Sequence, residues 1–214
     1  MNNAISSTSK QKITRSEFMD IAYDHTLSDD EKLSKFKQID LSGMDLSYLD
    51  LSGINLSNLD LSGVNFKNAV LDKANLTYSI ISDAILIDTK MNDANLERTD
   101  FRYSNLSGAI MKDANLTGTY FLDANLQDAF CFGAIIHKTD FRGANLKGVD
   151  LDFSSLPLWC GGQFKTDEDL IKQISAHLLR IMELSEIDND DNSLQSKLRE
   201  YSEGWRRQCE FNIR

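Results

Sequence analysis

The residues that could do chemistry in this chain are carboxylates and amides. Thirty-three of its 214 residues are acidic and 23 basic, a net charge of −10. Residues 39–153 hold sixteen acids against nine bases. Within that stretch Asp or Asn recurs on a five-residue phase, as at Asp60, Asn75, Asn95, Asp100, Asn115, Asn125, Asp140 and Asn145. Such side chains are suited to two tasks. Each can hold a turn by hydrogen-bonding nearby backbone. A row of them can instead act as a ladder of carboxylates spaced like phosphates along a groove. The negative balance argues against direct binding to nucleic acid phosphates.

Catalytic patterns are missing. His25, His137 and His177 are scattered, and no phosphate-binding loop, zinc-protease or nucleophile-elbow motif occurs. Cys131, Cys160 and Cys209 do not sit at metal-ligand spacing. Cys131 reads as a buried apolar side chain, and reduced thiols are expected for Cys160 and Cys209. Asp188 to Asn192 lacks the glycine and terminal glutamate of a calcium loop. No enzyme activity, metal or cofactor is expected.

The element that must position the acids is a repeat of five. Apolar residues recur without a break in phase from Leu41, Leu46 and Leu51 through Phe101, Leu106 and Met111 to Leu146 and Leu151. Two positions before each of these centres lies a second column. It begins with Ile39, Met44, Leu49, Ile54, Leu59 and Val64, then becomes small, as at Ala69, Ala74, Ser79, Thr99 and Ala144. A period of five fits neither helix nor plain strand. It fits a solenoid, in which each repeat buries its core by stacking on its neighbours.

Ala74-Asn75-Leu76, Ala94-Asn95-Leu96, Ala114-Asn115-Leu116, Ala124-Asn125-Leu126 and Ala144-Asn145-Leu146 carry the pattern A(D/N)LXX. The sequence here resembles the pentapeptide-repeat family. The resemblance implies an all-β solenoid, a right-handed quadrilateral β-helix with four repeats per coil and about six coils in all. Large residues at Met44, Leu49, Ile54 and Leu59 depart from the pattern, so the first coils are expected to be wider or less regular.

Four repeats per coil stack residues twenty apart. Phe101, Phe121 and Phe141 then form an internal aromatic column. One face collects Asp60, Asp83, Asp100, Asp123 and Asp140 and has a net charge of −4, counting Asp40, Arg102 and Arg142. Another face has apolar groups where Asp or Asn is usual: Ile110 and Phe130 with Phe132 beside them, and Val70 further along. That patch marks an interface with a partner, including a second copy, or is covered by a terminal helix of the same chain. Tyr120 and Leu122 fall on the opposite face.

Three regions follow. Residues 1–38 form a disordered arm (1–12) and a helical cap, with capping boxes at Thr14–Glu17 and Ser28–Glu31. The cap would cover the open first coil. Residues 39–153 form the β-helix. Residues 154–214 form a C-terminal cap and helical tail. Pro157 stands where the ladder stops, and Trp159, Cys160 and Gly161 belong to a PLWCGG segment that resembles a tail motif of some pentapeptide-repeat proteins. Trp159 is expected to plug the last coil. Leu170, Ile174, His177, Leu178 and Ile181, then Leu194, Leu198, Tyr201 and Trp205, give two helical stripes, a possible dimerisation element.

The chain has no apolar run of membrane-spanning length and no apolar signal core at its N-terminus, so a cytoplasmic location without membrane attachment is the default. Family resemblance implies one specific partner class. Some pentapeptide-repeat proteins inhibit DNA gyrase, or protect it from quinolones, by occupying its DNA-binding saddle. A DNA mimic docking through the −4 face on gyrase or another topoisomerase is therefore the first expectation. A scaffold that binds a protein through the apolar patch, with the acids serving only solubility, is the alternative.

Overall fold

The computed structural model describes residues 10–151. Pro157, Trp159, Cys160, Gly161 and the two tail stripes lie outside the described residues, as does any dimer made through them.

The rod is a parallel β-solenoid. Bridges join each residue before a centre to the residue twenty further on, from Asp45 with Asn65 to Asn125 with Asn145. Successive turns are thus one sheet spacing apart, about 4.8 Å. The phase set by the five-residue repeat is kept from the start: Asp45–Asn65, Asp50–Val70 and Asn55–Asn75 have the same register as later coils. The expected irregularity of the first coils is absent in this respect. Leu49 and Ile54 fall in one buried cluster with Phe18, Leu33 and Phe36 of the N-terminal helices.

Each five-residue unit ends in a β-turn. The N–H of Ala69, for example, donates to the carbonyl of Phe66 at 2.9 Å. The third residue of that turn, Asn68, has φ +56°. Fourteen non-glycine residues hold this left-handed conformation, eight of them Asp or Asn. Their short polar side chains tolerate it better than others.

The centres fill the interior. Phe101, Phe121 and Phe141 stack with ring centroids 5.3 Å apart, as the twenty-residue spacing requires. Beside them the small column does more than save room. Thr89, Thr99, Thr119 and Ser104 donate buried hydroxyls to the carbonyls of Phe66 (2.8 Å), Leu76 (2.8 Å), Leu96 (2.8 Å) and Ile81 (2.6 Å) in the coil before. Each such bond is worth about 1 kcal/mol.

Strand β1 (Gln11–Lys12), helices α1 (Arg15–Ala22) and α2 (Asp29–Phe36), and strand β2 (Ile39–Asp40) lead into the rod. Both helices open with full capping boxes. The Thr14 N–H donates to Glu17 at 2.7 Å and the Ser28 N–H to Glu31 at 2.8 Å. Phe18 and Phe36 are fully buried and stack at 5.0 Å. One expectation needs correction: the arm is not free up to residue 12. β1 pairs in parallel with β2.

The reason lies in the solenoid's edge. In the second coil Asn65 turns both backbone groups to the coil below, donating to Met44 O (2.9 Å) and accepting from Leu46 N (2.8 Å). The same groups of the first coil have no coil beneath them. Arg15 instead donates to the carbonyls of Ser47 (2.7 Å) and Asp45 (3.4 Å), and the Tyr23 hydroxyl donates to Asp50 O at 2.7 Å. β1 serves the remaining stretch at Ile39–Asp40. An uncovered edge of this kind would template another chain. At the far end of the described residues, β3 (Phe130–Cys131) pairs with β4 (Asp150–Leu151).

Candidate interaction surfaces

The Asp or Asn before each centre holds its own corner. Its side-chain oxygen accepts the N–H two residues on: Asn75 from Thr77 (3.1 Å), Asn115 from Thr117 (3.1 Å), Asp60 from Ser62 (3.0 Å) and Asp100 from Arg102 (3.1 Å). Of the two tasks open to these residues, turn support is the one the geometry shows. Asp60 also takes the Ser62 hydroxyl at 2.6 Å.

The five acids of the −4 face do not form one ladder. Asp60, Asp100 and Asp140 share a column, but Ile80 and Tyr120 alternate with them. Asp100 and Asp140 are each gripped by an arginine two residues on, Arg102 at 2.5 Å and Arg142 at 2.7 Å. Those contacts hold the Asp140 carboxyl below the usual carboxylate range, chiefly through the Arg142 hydrogen bonds. The Asp100 carboxylate raises Arg102 in turn. Of Asp60, Asp100 and Asp140, Asp60 alone has no cation within 4 Å among the described residues.

Asp83 and Asp123 stand elsewhere, at a corner, with φ of 57° and 55°. Tyr103 occupies the same corner in the coil between them and is 56% exposed. The next corner along the chain carries Asp88 and Asp128, again left-handed. Among the described residues no cation lies within 4 Å of Asp83, Asp88, Asp123 or Asp128. The column on the side between these two corners runs Asp45, Asn65, Ile85, Asn105, Asn125 and Asn145, with Ile85 41% exposed in the coil of Asp83 and Asp88. Asn145 donates to Asn125 at 2.9 Å and Asn125 to Asn105 at 3.1 Å. Sequence reasoning grouped Asp83 and Asp123 with the ion-paired acids and missed Asp88 and Asp128. The signal available was position: acids two residues after a centre fall at the corner turns, and acids one residue before it fall at the bridges between coils.

The apolar patch is partly assembled. Phe130 pairs directly with Ile110, while Lys90 separates Ile110 from Val70. Val70 is therefore two coils from Ile110. Phe130 and Phe132 are 42% and 49% exposed. Ile135, 47% exposed, stands on the next side, past the corner at Gly133, whose space the Asp113 carboxylate takes. Cys131 is buried and its thiol is pushed up to about 12 by desolvation, so it is a core side chain and not a nucleophile. Among the described residues no group of metal-ligating side chains occurs, and no helix is long and apolar enough to cross a membrane.

The family model for pentapeptide repeats matches in eight copies, over residues 50–86, 79–118 and 114–152. No curated protein matches the chain. Among solved structures, the chain is similar to the pentapeptide repeat protein Rfr23 from the cyanobacterium Cyanothece 51142, at 25% identity over 60% of this chain and 87% of that one, with a TM-score of 0.35. It is similar to QnrB1, a plasmid-mediated fluoroquinolone resistance protein, at 17% identity over 65% and 86%, with a TM-score of 0.31. A pentapeptide repeat protein from the Arabidopsis thaliana thylakoid lumen shows 28% identity over 63% and 76%, with a TM-score of 0.21. The five-residue phase, the twenty-residue register and the family model agree, and the chain belongs, through residues 50–152, to the pentapeptide-repeat family.

Proposed function

We propose that this protein is a non-enzymatic binding rod whose coil is right-handed and four-sided, and that it engages a basic, DNA-binding protein as a DNA mimic. One observation carries the reading. Asp83, Asp88, Asp123 and Asp128 have no cation within 4 Å among the described residues, and they line two corners on either side of an uncharged column of Ile85, Asn105 and Asn125. Acids forty residues apart stand two coils apart, about 10 Å along the rod. Two rows of free negative charge flanking a neutral strip present a duplex-like surface to a cationic groove. Asp100 and Asp140 are secondary, because Arg102 and Arg142 pair with their carboxylates.

The partner class to test first is DNA gyrase, through a supercoiling titration with purified protein at two salt concentrations. The reading expects inhibition at micromolar protein or below that weakens steeply with salt. It also expects the joint variant D83N/D88N/D123N/D128N to lose the effect. Asparagine suits these corners, since Asn58 and Asn68 hold the same conformation at φ 57° and 56°. Absence of inhibition up to tens of micromolar would overturn the gyrase reading. Salt-insensitive binding to another protein would favour the apolar patch as the working surface.

A further inference from the structure

We propose that the side carrying Ile110, Phe130 and Phe132 is the seat of this chain's own C-terminal segment, which would dock there through Leu170, Ile174, Leu178 and Ile181. The proposal goes beyond the acidic-rod reading and does not depend on it.

Three observations place the occupant. The first is where the described chain ends. β4 pairs with β3, Asp150 with Phe130 and Leu151 with Cys131. The chain therefore leaves the last described coil on the patch's own side, one layer above Phe130. The stretch from Leu151 to Leu170 is long enough to reach any point on the patch, at about 3.3 Å per extended residue.

Second, the side chains at stake make no hydrogen bond that holds their corner. Phe130 and Ile135 occupy the slot where Asp or Asn otherwise accepts an N–H to hold the corner, as Asn125 does for Gln127 at 3.2 Å. An aromatic or aliphatic side chain forfeits that bond. The segment that follows supplies a matching face: Leu170, Ile174, Leu178 and Ile181 recur at the spacing of one helical stripe.

Third, the charges match. Lys90 lies directly below Ile110 in its column. Lys112 follows Ile110 by two residues, in the coil below Phe132, and is held only by the exposed Asp113 beside it at 3.7 Å. The segment's stripe opens with Asp167, Glu168 and Asp169. Acids at that end would lie toward the two lysines and away from Asp150, which pairs with Phe130.

Limited trypsin digestion of the full chain, read by mass spectrometry, tests this. The proposal expects slow cleavage at Lys172 and Arg180 in the unaltered protein. Both F130S/F132S and I174S/L178S should accelerate that cleavage tenfold or more. The second pair leaves the rod sequence intact, so its effect cannot come from a damaged coil. The first pair leaves the segment intact, and its far-ultraviolet spectrum and melting curve should match the parent's. Equal rates in the parent and F130S/F132S would overturn the proposal. Protection that grows with protein concentration, alongside a doubled mass by light scattering, would also overturn it and assign the seat to a second copy.

Discussion

The carboxylate of Asp123 lies where a side chain at Gly143 would begin. A Cβ built on Gly143 would meet Asp123 Oδ1 at 2.1 Å, and the glycine sits at φ +70°. The same relation holds twenty residues apart for Asp88 and Gly108, Asp113 and Gly133, and Asp128 and Gly148. An aspartate at a corner thus occupies the space of the corner above it, and glycine there satisfies both the left-handed backbone and the missing room.

G143A should therefore destabilise the rod by about 1–2 kcal/mol. Part of that loss should return in the D123G background, because the second change opens the space. Denaturant melts of the two single variants and the double variant measure the coupling. Strict additivity would mean that the cost is backbone strain alone.

The hydroxyls of the small column can be tested without changing shape. T119V keeps the volume but removes the donor to Leu96 O, which Thr99 N still serves at 3.1 Å. A loss of about 1 kcal/mol is expected, from thermal or denaturant unfolding. No loss would show that the buried hydroxyl bond is matched by hydration in the unfolded chain.

At the N-terminal end, Y23F removes the donor to Asp50 O and R15A the donors to Asp45 O and Ser47 O. The double variant should associate through the first coil, with light scattering showing mass above that of the parent. A mass unchanged at high concentration would mean that β1 and α1 cover the edge by bulk alone.

Acid should loosen this same end first. Glu17 and Glu31 are held below the ordinary carboxylate range by the backbone N–H groups of Thr14 and Ser28. Asp40 and Asp50 are held low by the hydroxyls of Ser42 and Ser52. Depressed values mean stability that is complete above the ordinary carboxylate range and is lost as pH falls through the depressed ones, below about pH 4. Hydrogen exchange at pH 3 and pH 7, corrected for intrinsic rates, should show α1 and α2 losing protection before the coils around Phe101. Uniform loss would contradict this order.

The periodicity made the rod legible because burial here depends on one number, the distance between centres. Leu41 to Leu151 could be placed, the Phe101–Phe121–Phe141 stack foreseen, and both capping boxes located, since each rests on local spacing. Contacts across coils were less visible. Whether Asp100 is free depends on Arg102 folding back on it, and Asp83 differs from Asp100 only in standing at a corner. The pairing of Gln11–Lys12 with β2 could not be read from two unremarkable residues; the open edge of the first coil creates the demand for it. Lys90 between Val70 and Ile110 is visible once columns are drawn, but the Asp113 carboxylate filling the corner at Gly133 is a contact across coils.

The twenty-residue register also sets how the molecule can be built. Nearly every bridge of the rod joins neighbours one turn apart in sequence, so no coil waits for a distant part of the chain. The α1–α2 cap and β1 emerge first and give the first coil a surface to close on. A nascent chain can then complete a coil each time another twenty residues become available, growing away from a finished end.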